Sequence, residues 1–206
     1  TRRLSSFGYE LCTNLLQPTR GKKCQFIAYG GGDTRAAASF ERILADGIYP
    51  RFSYNSALQH TLHAPLILPA CQGYLVDIQP LQNLHESTRT HPNLTILQRR
   101  APIIRPILQA RPVTGPEISL PDLPVSSPLD LMREFSIDQV SVLKMHCEGC
   151  EFELWKVADE DPSFWHRVSQ LTLGIHLKPS HLRGMPELLG LGRLLLQLKA
   201  YGWKMY

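Results

Sequence analysis

At 206 residues, 43% hydrophobic and 19% charged, the chain can bury a full core, and its length suggests one domain or one domain with an appendage. No uninterrupted apolar run reaches the roughly 18 residues that span a bilayer, and no charged-then-apolar leader opens the chain, although the lack of an initiator Met at Thr1 leaves room for one upstream. The formal charge of +4 is mild, and Lys and Arg are scattered outside "RGKK" at 20–23 and the pair Arg99 and Arg100, so the basic stripe with interleaved aromatics that marks nucleic-acid binding is not legible.

In chain order, "CQFIAYGGGDTRAAASFERILADG" predicts an apolar strand at 25–29, a glycine turn at 30–32, and a helix with Phe40, Ile43 and Leu44 at helical spacing. Residues 47–72 break that rhythm with Pro50, Pro65 and Pro69, and read as an irregular insertion. "GYLVDIQP" is a second strand that stops at a carboxylate and a Pro, and "NLTILQRR" is a third. From Pro102 to Pro128 the chain is dense in proline, which prohibits regular helix and marks a long connector packed on the body. "LDLMREF" predicts a short helix, "QVSVLKM" a fourth strand, "EFELWKVA" and "PSFWHRV" helices, "QLTLGIHL" a fifth strand, "MPELLGLGRLLLQLKAYG" a long helix, and "WKMY" the start of a further strand. Strands alternating with helices imply an α/β fold, a mainly parallel sheet with helices on both faces.

The cysteines number five. Cys12 and Cys24 bracket a short polar segment and are expected to pair if the compartment is oxidising. "NLT" at 93–95 is a glycosylation acceptor pattern. Together they lean toward the secretory pathway, the Golgi lumen in particular, with the cytosol or an organelle matrix as the alternative.

In sheets of this kind ligands bind beyond the carboxyl ends of the strands, where the strand order reverses. The first strand ends in "YGGGD", Tyr29 to Asp33; glycines there let backbone approach a ligand closely, and the next helix offers free N–H groups. The bland reading of such a turn is tight packing. Asp77, at the end of the second strand, is placed to accept both hydroxyls of a ribose; its separation from the glycines exceeds the usual spacing by about the length of the 47–72 insertion. The alternative for Asp77 is a turn cap.

"VLKMHCEGCEFELW", Val142 to Trp155, falls at the end of the fourth strand, beside the first. His146, Cys147 and Cys150 supply at most three metal ligands, with no second Cys/His pair at knuckle spacing, so no metal is expected. Cys147 reads as a plain buried thiol. Glu148 and Gly149 suit a turn over a ligand pocket, with Glu151 in the first turn of the following helix.

The order of these segments, above all "VLKM..EG.E.E.W", resembles the FkbM-like S-adenosylmethionine-dependent methyltransferases, including the animal and algal methyltransferase-like branch. The resemblance covers nearly the whole chain as a single domain, 1–206, and implies a Rossmann-like class I methyltransferase fold. It implies S-adenosylmethionine held by Tyr29, Gly30, Gly31, Gly32, Asp33 and Asp77, and O-methylation of a sugar or small-metabolite hydroxyl, so that the partner is a small-molecule or glycan acceptor. Two positions depart from the family pattern. His146 stands where the family has Asp, and Gly174 where it usually has Glu; the family fold also needs a last strand beyond Tyr206. His146 then becomes the expected general base, with Glu148 beside it, since an imidazole titrates near pH 6.5. His176 and Lys178, at the end of the fifth strand, are candidates to touch the acceptor; the alternative for His176 is a hydrogen-bonded structural residue. The opposing expectation is a catalytically inactive methyltransferase-like domain kept as an interaction module, with a protein partner on the insertion or the connector.

Overall fold

The computed structural model describes residues 3–6, 9–12, 16, 23–30, 35–54, 60–78, 86–101, 123–147, 149–176 and 185–204. At its centre five strands run parallel: β3 (Gln25–Tyr29), β6 (Gln72–Asp77), β7 (Leu94–Gln98), β8 (Val142–Met145) and β9 (Leu171–Leu173). Their order is β7-β6-β3-β8-β9. The chain thus steps outward from β3 through β6 to β7, then returns to the other side of β3 for β8 and β9. This is a doubly wound, Rossmann-like α/β arrangement, with the reversal between β3 and β8.

Strand alternation divides the core in two. One face carries Phe26, Ala28, Leu75 and Val142, which pack with Phe40, Ile43, Leu44 and Ala45 of α1 (Arg35–Asp46). The other carries Ile27, Tyr29, Tyr74, Val76, Leu143 and Met145. Against it lie α3 (Pro128–Glu134), α4 (Trp155–Glu160), α5 (Phe164–Arg167) and α6 (Met185–Ala200). A short α2 (Glu86–Arg89) precedes β7. The helix α3 begins where Pro cannot continue a strand: Ser127 caps it, its hydroxyl accepting from the Asp130 N–H while the Asp130 carboxylate accepts from the Ser127 N–H.

Three expectations are corrected. The 47–72 stretch is not irregular: β4 (Ile48–Tyr54) and β5 (His60–Ile67) form a separate antiparallel ribbon. Its register slips between Tyr49 and Arg51, so that Pro50, Ala64 and Pro65 have no place in the paired ladder; a bulge is where a strand tolerates residues that cannot donate. Cys24 pairs with Cys71, not with Cys12, which is free. Each of the two lies one residue before a strand, and the register that matches Gln25 with Gln72 sets them side by side. Asn93, which opens the NLT triplet, donates from Nδ2 to the Ala45 carbonyl at 2.9 Å. Trp203 and Lys204 are not strand; the Trp203 N–H closes the end of α6 on the Leu198 carbonyl at 2.9 Å.

A small hairpin, β1 (Arg3–Ser6) and β2 (Tyr9–Cys12), completes the described elements. It is tied to the entrance of β9 by one side chain: Gln170 Oε1 accepts from the Cys12 N–H at 2.7 Å and Gln170 Nε2 donates to the Cys12 carbonyl at 3.1 Å. The connector at 102–122 lies outside the described residues. Its two ends meet, since Arg100 pairs with Val125 in a parallel bridge.

Candidate functional site

At the reversal, β3 and β8 run side by side as far as Tyr29 and Met145. Past that pair the two backbones remain in contact. The His146 N–H donates to the Tyr29 carbonyl at 2.9 Å, the Gly30 N–H to the Val76 carbonyl at 2.9 Å, and the Gly174 N–H to the Met145 carbonyl at 2.8 Å. Gly30 has φ +71 and a Cβ there would overlap the backbone of His146. The first glycine of the turn is therefore required twice, by its left-handed backbone and by the closeness of the neighbouring strand. Gly31, Gly32, Asp33, Glu148 and Lys178 fall outside the described residues.

Glu151 links the segments that follow β8 and β9. Its carboxylate is fully buried, with Oε2 accepting from the Gly149 N–H at 2.8 Å and Oε1 accepting from the His176 N–H at 2.9 Å. Oε1 also lies 2.9 Å from His176 Nδ1. Burial, the largest single influence, pushes this carboxyl up; the hydrogen bonds from the His176 ring and from the Glu151, His176 and Gly149 backbone outweigh it and hold the group below its ordinary range. The fixed His176 ring in turn stacks on His146, centroids 5.0 Å apart and planes at 25°. The structure thus brings together His146, expected as the general base, and His176, expected on the acceptor side. Glu151 links their loops, a role that its placement in a first helical turn did not announce.

On the α1 face, Lys144 and Glu41 form a fully buried ion pair, Nζ to Oε1 2.5 Å. Lys144 Nζ also lies 3.5 Å from the Gly30 carbonyl. Burial pushes the Glu41 carboxyl up; Lys144 opposes it, and Asp77 adds to the rise. Glu41 Oε2 is buried with no hydrogen-bond partner among the described residues. Asp77 itself is buried at the end of β6, where its carbonyl accepts from the Arg99 N–H at 3.0 Å. A cation in the middle of an apolar strand was the signal for this cluster, because a buried Lys requires a partner.

Tyr29 serves the fold. Its ring is buried among the residues that face α3, and its hydroxyl donates to the Ser126 carbonyl at 2.9 Å. Burial, then the charge of Asp130, hold the phenol well above its ordinary value against the influence of Arg99. What Tyr29 offers the crevice is its carbonyl, which receives His146. Cys147 is not a plain thiol: it is disulfide-bonded to Cys150, with Cα atoms 5.6 Å apart. Among the described residues no three His, Cys, Asp or Glu gather to hold a metal ion.

A cleft of about 500 Å³ lies at the opposite end of the sheet, lined by Lys23, Gln25, Gln72, Tyr74, Phe135 and Asp138 among others. It borders the amino ends of β3 and β6, where backbone N–H groups already enter the ladder, and it holds none of the candidate residues. No helix among the described residues is long and apolar enough to cross a membrane. The chain matches no protein-family model, no curated protein and no solved structure.

Proposed function

We propose that the chain is a Rossmann-like class I methyltransferase of the FkbM-like kind, which uses S-adenosylmethionine to methylate a hydroxyl of a sugar or small metabolite. The observation that carries this reading is the reversal of strand order at Gly30 and His146, with Asp77 at the end of the adjoining strand. Two features support the cofactor: a left-handed glycine ends β3, and a carboxylate ends the adjoining β6. Bound there, S-adenosylmethionine supplies an electrophilic methyl group.

The protein's own part is alignment and proton transfer. Gly30 and Asp77 hold the nucleoside, the crevice sets the acceptor hydroxyl in line, and alignment carries much of the rate. His146, in its neutral form, takes the hydroxyl proton as oxygen gains its new bond. His176, stacked on it and bound to Glu151, keeps the imidazole oriented. The two disulfides support maturation in an oxidising compartment such as the secretory pathway.

Calorimetry with S-adenosylhomocysteine tests the reading. The wild type should bind, and Asp77→Ala should weaken binding by more than about tenfold if a charge-assisted hydrogen bond is lost. Unchanged affinity removes Asp77 from the site, and no binding by the wild type overturns the proposal. In that event the second reading, an inactive domain acting as an interaction module, gains ground. It is favoured by the exposed apolar side chains of Met185, Leu188, Leu189 and Leu196 on α6.

A further inference from the structure

The two disulfides differ in kind. Cys24–Cys71 joins positions 47 apart, and both cysteines are buried. Cys147–Cys150 joins positions three apart, in a Cys-x-x-Cys spacing, with Cys147 half-buried and Cys150 buried. A cross-link stabilises largely by constraining the unfolded chain, and the constraint grows with the loop it closes. The short link therefore adds less global stability than the long one.

What distinguishes it is its place. It closes the turn between His146 and Glu151, and contains Gly149 at φ 128, a conformation that favours glycine. Gly149 donates to Glu151 through its N–H and accepts from the Phe152 N–H at 3.3 Å. Glu151 holds His176, and His176 stacks on His146. The disulfide is thus the covalent end of a contact chain that fixes both imidazoles.

We propose that Cys147–Cys150 is a thiol–disulfide exchange site, reduced by a dithiol while the fold persists, and that its reduction releases the turn that positions His146 and His176. A thiolate of the dithiol attacks the sulfur of Cys147, the more accessible residue. The protein S–S bond breaks, and its electron pair leaves on the Cys150 sulfur, which takes a proton. The second thiolate of the dithiol then attacks its own sulfur in the mixed disulfide. This frees Cys147 as a thiol and leaves the dithiol oxidised. Two electrons and two protons pass to the protein, and the oxidised dithiol reverses the exchange. The inference stands on the geometry of the turn and holds whether or not the domain transfers methyl groups.

The test uses purified native protein. N-ethylmaleimide first blocks the free Cys12; a dithiothreitol series follows, with isotopically distinct N-ethylmaleimide to trap new thiols and peptide mapping to locate them. Cys147 and Cys150 should label at dithiothreitol concentrations at least about tenfold below those that open Cys24–Cys71, with circular dichroism unchanged. The imidazole resonances of His146 and His176 should shift in step. Equal reducibility of the two disulfides, labelling of Cys147 and Cys150 in the first step, or reduction only with loss of structure overturns the exchange site. Selective reduction with unmoved histidine resonances overturns the coupling. A Cys147→Ala/Cys150→Ala variant should show the shifted resonances without reductant; should it fail to fold, the wild-type titration alone decides.

Discussion

Gly174 lies against the ring of His146: a Cβ at position 174 would stand 2.8 Å from Cδ2 and 3.2 Å from Cγ. Positions 146 and 174 are therefore sterically coupled. An imidazole at 146 fills the space that a side chain at 174 would need.

Gly174→Ala should cost about 1 to 3 kcal/mol, the usual range for overpacking. In a His146→Ala background most of that cost should vanish, giving a coupling of about 0.5 to 3 kcal/mol. Urea denaturation of the four proteins in the cycle measures it. Equal costs in both backgrounds would show that the ring moves aside freely.

Glu151 contributes to the acid limb of stability. Its carboxyl is held below the ordinary value in the folded state, so its contribution is complete above the unfolded value near pH 4.3, roughly, and drains away as pH falls through the folded value. Glu151→Gln should flatten the stability profile below about pH 4. At neutral pH, Glu151→Ala should cost about 2 kcal/mol or more, because it orphans the N–H groups of Gly149 and His176. A profile that keeps its slope in the Gln variant would assign the acid sensitivity elsewhere.

Glu41 works in the opposite direction. Burial raises its folded value, so its favourable contribution is complete below the unfolded value and is lost as pH rises through the folded one. Breaking its pair by Lys144→Met should destabilise by about 3 to 5 kcal/mol, whereas Glu41→Leu with Lys144→Met should recover most of that loss. Thermal denaturation of single and double variants checks this. A double variant as unstable as the single one would mean that Lys144 acts mainly through other neighbours.

For catalysis, His146→Ala should lower turnover by about 10²-fold while cofactor affinity stays within a few fold, because a base acts in the transition state. Steady-state kinetics beside calorimetry separates the two effects. A variant with full turnover would end the general-base assignment.

The parallel sheet was legible because each of its strands is a short apolar run and the runs alternate with helical patterns. The placement of β8 beside β3 was expected from the doubly wound pattern, and the sheet has it. The β4–β5 ribbon was hidden because Pro50 and Pro65 break the alternation that identifies strands, and only pairing shows that they fall at a bulge. The cysteine pairing was hidden for a related reason. Nearness in sequence favoured Cys12 with Cys24, whereas the register of β3 on β6 brings Cys71 across 47 positions. Glu151 was visible as an acid in a first turn, but its hold on His176 depends on the parallel placement of β8 and β9.

The meeting of Arg100 and Val125 bears on how the chain tolerates added length. Both shoulders of the proline-dense connector are fixed to each other, the Arg100 N–H to the Pro124 carbonyl and the Ser126 N–H to the Arg100 carbonyl, each at 2.9 Å. Arg99 adds a bond to the Ser126 hydroxyl at 3.2 Å and one to Glu134 on α3 at 2.7 Å. The two ends of the connector are thus joined at its base, and lengthening a flexible loop so closed costs only about 0.6 kcal/mol per doubling. An insertion between these ends should therefore leave α3 where it stands, as the melting temperature of such a variant would show.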